Sequence, residues 1–135
     1  MIEIRWRVFE ENTNSGTIDP DDLCGSIFIS DGVSSISDSP VYLENWFNCL
    51  VEAYDSIKNG EGEFECDLVS EPDPLSFIFD GSFITIKYKK EIICGFTLNQ
   101  LYEAIHKSGE HLIRRLKNEV PEMDRASVKK LEDFL

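Results

Sequence analysis

An α+β domain is the fold that this sequence predicts, and three observations predict it. Short segments in which apolar and polar side chains alternate occur at the start and again in the middle of the chain, as half-buried strands require. Two longer stretches repeat their apolar residues every three or four positions, the period of a helix with one buried face. The strands come as neighbours joined by turns rather than alternating singly with helices, which favours a mainly antiparallel sheet with helices packed on one face. The order read is β-β-α-β-β-β-α-α. Residues 1–135 are taken as a single domain, since this length buries a core without staples and is cramped for two.

The elements follow in order. Ile2, Ile4, Trp6 and Val8 alternate with Glu3, Arg5 and Arg7, giving the first strand. Residues 10–24 are polar and turn-rich, a long connection. Gly25 to Ser30 reads as the second strand, ended by Asp31-Gly32. A helix is then expected from Pro40, which suits a first helical position, with Asp38 or Ser39 as its cap. Its stripe is Leu43, Trp46, Phe47, Leu50, Tyr54 and Ile57, and Asn59-Gly60 stops it. Phe64, Cys66 and Leu68 face inward from the next strand, and Ser70 to Pro74 breaks the ladder.

Asp80-Gly81 lies between two apolar runs and predicts a two-residue hairpin turn. That turn pairs Phe79 with Ser82, Phe77 with Ile84 and Leu75 with Ile86. Thr97 and Gln100 form a capping box before a helix whose stripe includes Leu101, Ile105, Leu112 and Leu116. Ser108-Gly109 predicts a kink in it. Pro121 ends the pattern, and a short helix over about 124–134 closes the chain.

Charge narrows the function. The chain holds 26 acidic and 13 basic residues, a net of −13. Direct binding of nucleic acid would meet repulsion, because that affinity rests on cations facing phosphates. Acidic chains instead attract basic partners, at rates that fall with salt. The imbalance is also local: residues 1–80 hold 18 acids against Arg5, Arg7 and Lys58. Seven acids and no Lys or Arg lie between Glu61 and Asp80, whereas a merely solvated face mixes its signs. Solubility alone is the competing account of this charge.

Signals for chemistry are weak. Cys24, Cys49, Cys66 and Cys94 form no close pair, so no zinc site is expected. Their expected state is reduced, as small buried hydrophobes in a cytoplasmic protein. No apolar run is long enough to cross a membrane, and residues 1–7 lack the apolar region of a secretory signal. His106 and His111 are five residues apart, about 140° apart on a helix, and no glycine-framed nucleophile accompanies them. No phosphate-binding glycine loop is present. Asp19, Asp21 and Asp22 lack the spacing of a calcium loop. The expectation is a binding protein, not an enzyme, with no cofactor and no metal.

A family resemblance completes the reading. The run Val41-Tyr-Leu-Glu-Asn-Trp-Phe-Asn-Cys-Leu50, then Gly60, Leu68-Val-Ser-Glu-Pro72 and the hairpin from Ser76 to Ile86 resemble small bacterial immunity proteins. Those proteins belong to contact-dependent growth inhibition and related polymorphic toxin systems. The resemblance covers roughly residues 40–105 and implies a protein that neutralises a cognate toxin domain, often a basic nuclease. On that reading Glu61, Glu63, Glu65, Asp67, Glu71 and Asp73 form the docking face, extended by Asp19, Asp21 and Asp22. An acidic adaptor for some other basic protein is the alternative. A homodimer is left open.

Overall fold

The computed structural model describes residues 2–9, 23–69, 71–119 and 125–135. Among the described residues, seven strands and three α-helices occur in the order β1 (Glu3–Val8), β2 (Cys24–Ser30), β3 (Ser35–Tyr42), α1 (Leu43–Lys58), β4 (Glu63–Cys66), β5 (Leu75–Phe79), β6 (Ile84–Tyr88), β7 (Glu91–Phe96), α2 (Leu98–Glu119) and α3 (Lys129–Phe134). A 3-10 turn, Ala126–Val128, leads into α3. The fold is α+β and every strand pair is antiparallel. The strands divide into a three-stranded sheet, β1-β2-β3, and a four-stranded sheet, β4-β5-β6-β7. β3 lies against β7, so the sheets meet edge to edge.

Two strands depart from the expected order. Pro40 belongs to β3, not to the first turn of α1, which starts at Leu43. Gly25 pairs with Val41 and Ile27 with Asp38, leaving Ser39 and Pro40 together opposite Ser26. Such a bulge tolerates proline because it asks for no ladder N–H there. Ile36 and Val41, both buried, carry the apolar row of the strand. β7 was also not anticipated. Ile84 pairs with Phe96 but Thr85 with Cys94, so Gly95 is the extra residue, at φ +83°. A left-handed residue inside a strand is a role that glycine fills without a Cβ penalty.

The β5–β6 hairpin has a longer loop than Asp80-Gly81 suggests. Phe79 pairs with Ile84, Phe77 with Ile86 and Ser76 with Lys87, two residues away from the expected register. Because strand side chains repeat every second residue, a slip of two keeps each on its expected face. Phe77, Ile84 and Ile86 are accordingly buried. The cause is the Asp80 side chain, which accepts the N–H groups of Ser82 (2.9 Å) and Phe83 (2.7 Å) and so closes a four-residue loop.

One core joins both sheets to the helices. α1 buries Leu43, Trp46, Phe47, Leu50 and Ile57 against β2, β3, β4 and β5. α2 opens on the expected capping box: Thr97 Oγ1 accepts the Gln100 N–H at 3.1 Å, and Gln100 Oε1 accepts the Thr97 N–H at 2.9 Å. It runs as one helix through Ser108-Gly109. A Cβ on Gly109 would sit 2.7 Å from a Leu131 methyl, so the glycine lets α3 come close. The expectation of four reduced thiols is overturned: Cys49 of α1 and Cys66 of β4 form a disulfide, with Cα atoms 5.8 Å apart. Both side chains face the same α1–β4 contact, which brings residues 17 apart in sequence within bonding reach. Cys24 and Cys94 are not disulfide-bonded. No helix among the described residues is long and apolar enough to cross a membrane.

Candidate protein-binding face

Among the described residues β4 is an edge strand that pairs with β5 alone. Its alternation decides which side chains meet the core. Phe64 and Cys66 turn toward α1, where the disulfide holds the strand down. Glu63 and Glu65 point to the opposite face and are exposed, about 7 Å apart at the two-residue repeat of a strand. The register continues this outer face across the sheet. Glu63 lies opposite Ile78, and Glu65 opposite Ser76, whose hydroxyl donates to Glu65 Oε1 at 3.5 Å. Lys87 is next along the Ser76 row, then Ile92, which is 51% exposed. Cys94 on the same face is exposed as well.

The other expected site residues separate. Glu61 follows α1, its N–H donating to the Ser56 carbonyl at 3.0 Å, and its side chain is exposed. Asp67, just past β4, and Asp73, in the connection to β5, are exposed. Glu71 does not join them. It turns inward and pairs with Lys89 at 3.4 Å, leaving only 22% of its side chain exposed. Asp19, Asp21 and Asp22 lie outside the described residues.

Most acids of this segment are unpaired within the described residues. Glu61, Glu63, Glu65, Asp67 and Asp73 form no ion pair with a described lysine or arginine. The cations of the last third are mostly taken by acids near them in sequence: Arg114 by Glu110 (2.7 Å), Arg115 by Glu119 (2.6 Å), Arg125 by Glu132 (2.7 Å) and Lys129 by Asp133 (3.5 Å). Lys130 reaches Glu52 on α1. Their positive charge is therefore spent locally.

A polar cluster that sequence reasoning missed lies where the sheets meet. The Tyr88 hydroxyl donates to Asp38, and Lys89 lies 3.5 Å from Asp38 and 3.4 Å from Glu71. Burial, then the Asp38 carboxylate, pushes the Tyr88 phenol well above its ordinary range. Burial works against the Lys89 charge, but Asp38 and Glu71 outweigh it and hold the ammonium above its usual value. Lys89 has φ +54°, a left-handed backbone at the tight β6–β7 turn. The cluster borders a cavity of about 250 Å³ lined by Asp38, Pro40, Trp46 and Glu71. A charged lysine held between two carboxylates, beside a neutral phenol, ties three separate segments together. The one sequence signal was Tyr88 sharing the inward parity of Ile84 and Ile86.

No set of three or more His, Cys, Asp or Glu side chains among the described residues is arranged to hold a metal ion. His106 pairs loosely with Glu110 at 3.8 Å along α2. His111 instead lines a groove beside β1. No family model, curated protein or solved structure matches this chain.

Proposed function

We propose that this protein is an immunity protein that binds and neutralises a basic, nuclease-type toxin domain, using the outer face of its four-stranded sheet. One observation carries the reading: Glu63 and Glu65 stand side by side on that face without a cationic partner among the described residues, in the same sheet surface as the exposed Ile92. Carboxylates that lack a partner inside the molecule are available to a cation outside it. A nuclease surface that holds phosphates supplies such cations. The apolar side chain of Ile92 gives the contact a patch that excludes water, while the glutamates guide approach. Glu61, Asp67 and Asp73 would widen the face; Glu71 is engaged with Lys89 and is withdrawn from it. An interface of ordinary size involves about 20–30 residues a side, so these groups would form only part of one.

The experiment is co-expression of the full chain with basic toxin nuclease domains, scored for growth rescue and for a stable heterodimer. The reading expects rescue by the natural chain and slower association after Glu63→Lys with Glu65→Lys, with a flatter dependence on salt. A complex that forms without rescue would mark an acidic adaptor instead. Association rates unchanged by the double reversal would remove this face from the account.

A further inference from the structure

An open groove of about 760 Å³ runs between β1 and α2. Ile4 and Trp6 of β1 and Ala104 of α2 give it apolar walls, while Arg5, Lys107, His111 and Arg115 bring nitrogen groups to it. Glu3 is the only acid lining it, and that carboxylate is already bound by Arg5 at 2.7 Å. On a chain of net charge −13, this concentration of basic side chains is an exception. Lys107, exposed on α2, has no ion-pair partner among the described residues.

Two features show a built wall. The Trp6 indole N–H donates to the Ser108 carbonyl at 3.1 Å, which fixes the ring against the helix. Ser108 also lines the groove and is only 7% exposed, and its buried hydroxyl has no hydrogen-bond partner among the described residues. Folded proteins rarely leave a buried hydroxyl unpaired. An acceptor atom brought into the groove is the missing partner that this geometry invites.

We propose that the groove binds a small organic anion, an apolar body carrying two or more phosphate or carboxylate charges. The volume lies in the range of small-molecule sites. Arg5 and Lys107 supply charge-assisted donors, the Ser108 hydroxyl a buried one, and Trp6 with Ile4 the surface for the body, while Arg115 stays paired with Glu119. A small anion is favoured over a polyanionic chain because charges beyond about 8 Å are screened at physiological salt. The ligand then meets the local cations, whereas a long polyanion would also meet the acids of the rest of the surface. This site is independent of the docking face, so either can fail alone.

The test is an amide and indole NMR titration of the full chain with ATP, citrate, inorganic phosphate and uncharged adenosine. Saturable shifts with ATP or citrate are expected at the Trp6 indole N–H and at Arg5, Lys107 and Ser108, with none from adenosine. Saturation by ATP alone assigns phosphate recognition, and by citrate alone carboxylate recognition. Lys107→Glu should weaken binding by about tenfold or more, as loss and reversal of a charged contact would. Ser108→Ala should weaken it several-fold without lowering the thermal midpoint, which a purely structural serine would not do. No saturation through the millimolar range, inorganic phosphate binding as tightly as ATP, or unchanged affinity in Lys107→Glu would overturn the proposal.

Discussion

The hydroxyl of Tyr88 on β6 donates to the carboxylate of Asp38 on β3, a bond that fastens the four-stranded sheet to the three-stranded one. Tyr88 is 1% exposed, and its ring meets Trp46 of α1 edge-on at 5.0 Å. Two backbone N–H groups also bridge the seam beside the Lys89–Asp38 pair, Ser37 donating to Glu91 (3.3 Å) and Cys94 to Asp31 (3.0 Å). The sheets are thus joined by carboxylates that bond backbone or phenol, in place of a continuous ladder.

Tyr88→Phe should therefore destabilise the fold by about 1.5–3 kcal/mol, the worth of a buried hydrogen bond to a charged group. Its signature is alkaline. The folded phenol titrates above its unfolded value of about 10, so its stabilisation is complete below that pH and is lost as pH rises toward the folded value. Denaturant midpoints measured from neutral pH upward should fall in the natural chain from about pH 10. The Phe variant should lack that part of the decline.

Asp31 predicts the opposite dependence. Its carboxylate accepts the N–H groups of Ser34 (2.7 Å), Val33 (2.8 Å) and Cys94 (3.0 Å). The bond to Ser34 and then that to Cys94 hold it below the ordinary aspartate range against the opposing effect of burial. A carboxyl with a depressed folded value stabilises above its unfolded pKa, about 3.9, and loses that contribution as pH falls through the folded one. Asp31→Ala should cost about 1 kcal/mol at neutral pH. Acid-unfolding curves should converge with those of the natural chain at low pH, where the natural carboxyl is protonated.

The parts of this fold governed by local spacing were legible in the sequence. The α1 stripe, the Thr97–Gln100 box and the inward parity of Phe77, Ile84 and Ile86 need only neighbours along the chain. Period two likewise placed Glu63 and Glu65 on one exposed face. What escaped depends on distant partners. Pro40 looks like a helix start until Ser26 is known to sit opposite its bulge. Cys49 and Cys66 look unrelated until α1 packs on β4. Glu71 looks free until the β6–β7 turn delivers Lys89.

The Cys49–Cys66 bond anchors a four-residue edge strand to α1. Residues 17 apart close a loop of modest length, for which chain-entropy arguments give about 3 kcal/mol of stabilisation. Adding reductant should lower the thermal midpoint of the natural chain and leave that of the Cys49→Ser, Cys66→Ser double variant unchanged. Amide exchange should report the loss first in Glu63–Cys66, because an edge strand has only one neighbour to hold it.

Two glycine-to-alanine changes should differ sharply. A Cβ at Gly25 would lie 1.9 Å from the Arg7 carbonyl oxygen, a backbone atom of the paired strand. At Gly109 the nearest atom is a Leu131 methyl, the end of a rotatable side chain. Gly25→Ala must spread β1 from β2 and should cost about 3 kcal/mol or more. Gly109→Ala exchanges some overpacking against α3 for better helix propensity, which is worth up to about 1 kcal/mol. Equal denaturant midpoints for the two variants would contradict the close approach at Gly25.

The unpaired carboxylates of β4 make a prediction that needs no partner. Glu63 and Glu65 repel each other, while the nearest cation in register with Glu65 on that face is Lys87, two strands away. Screening by salt weakens such repulsion over distances beyond the Debye length. Replacing Glu63 and Glu65 by Gln should therefore leave the thermal midpoint equal or higher, since no ion pair is lost. Adding sodium chloride should raise the midpoint of the natural chain more than that of the Gln variant. If the substitution instead lowers stability at low salt, those carboxylates have attractive partners within the molecule, and the case for an external cation on this face falls with them.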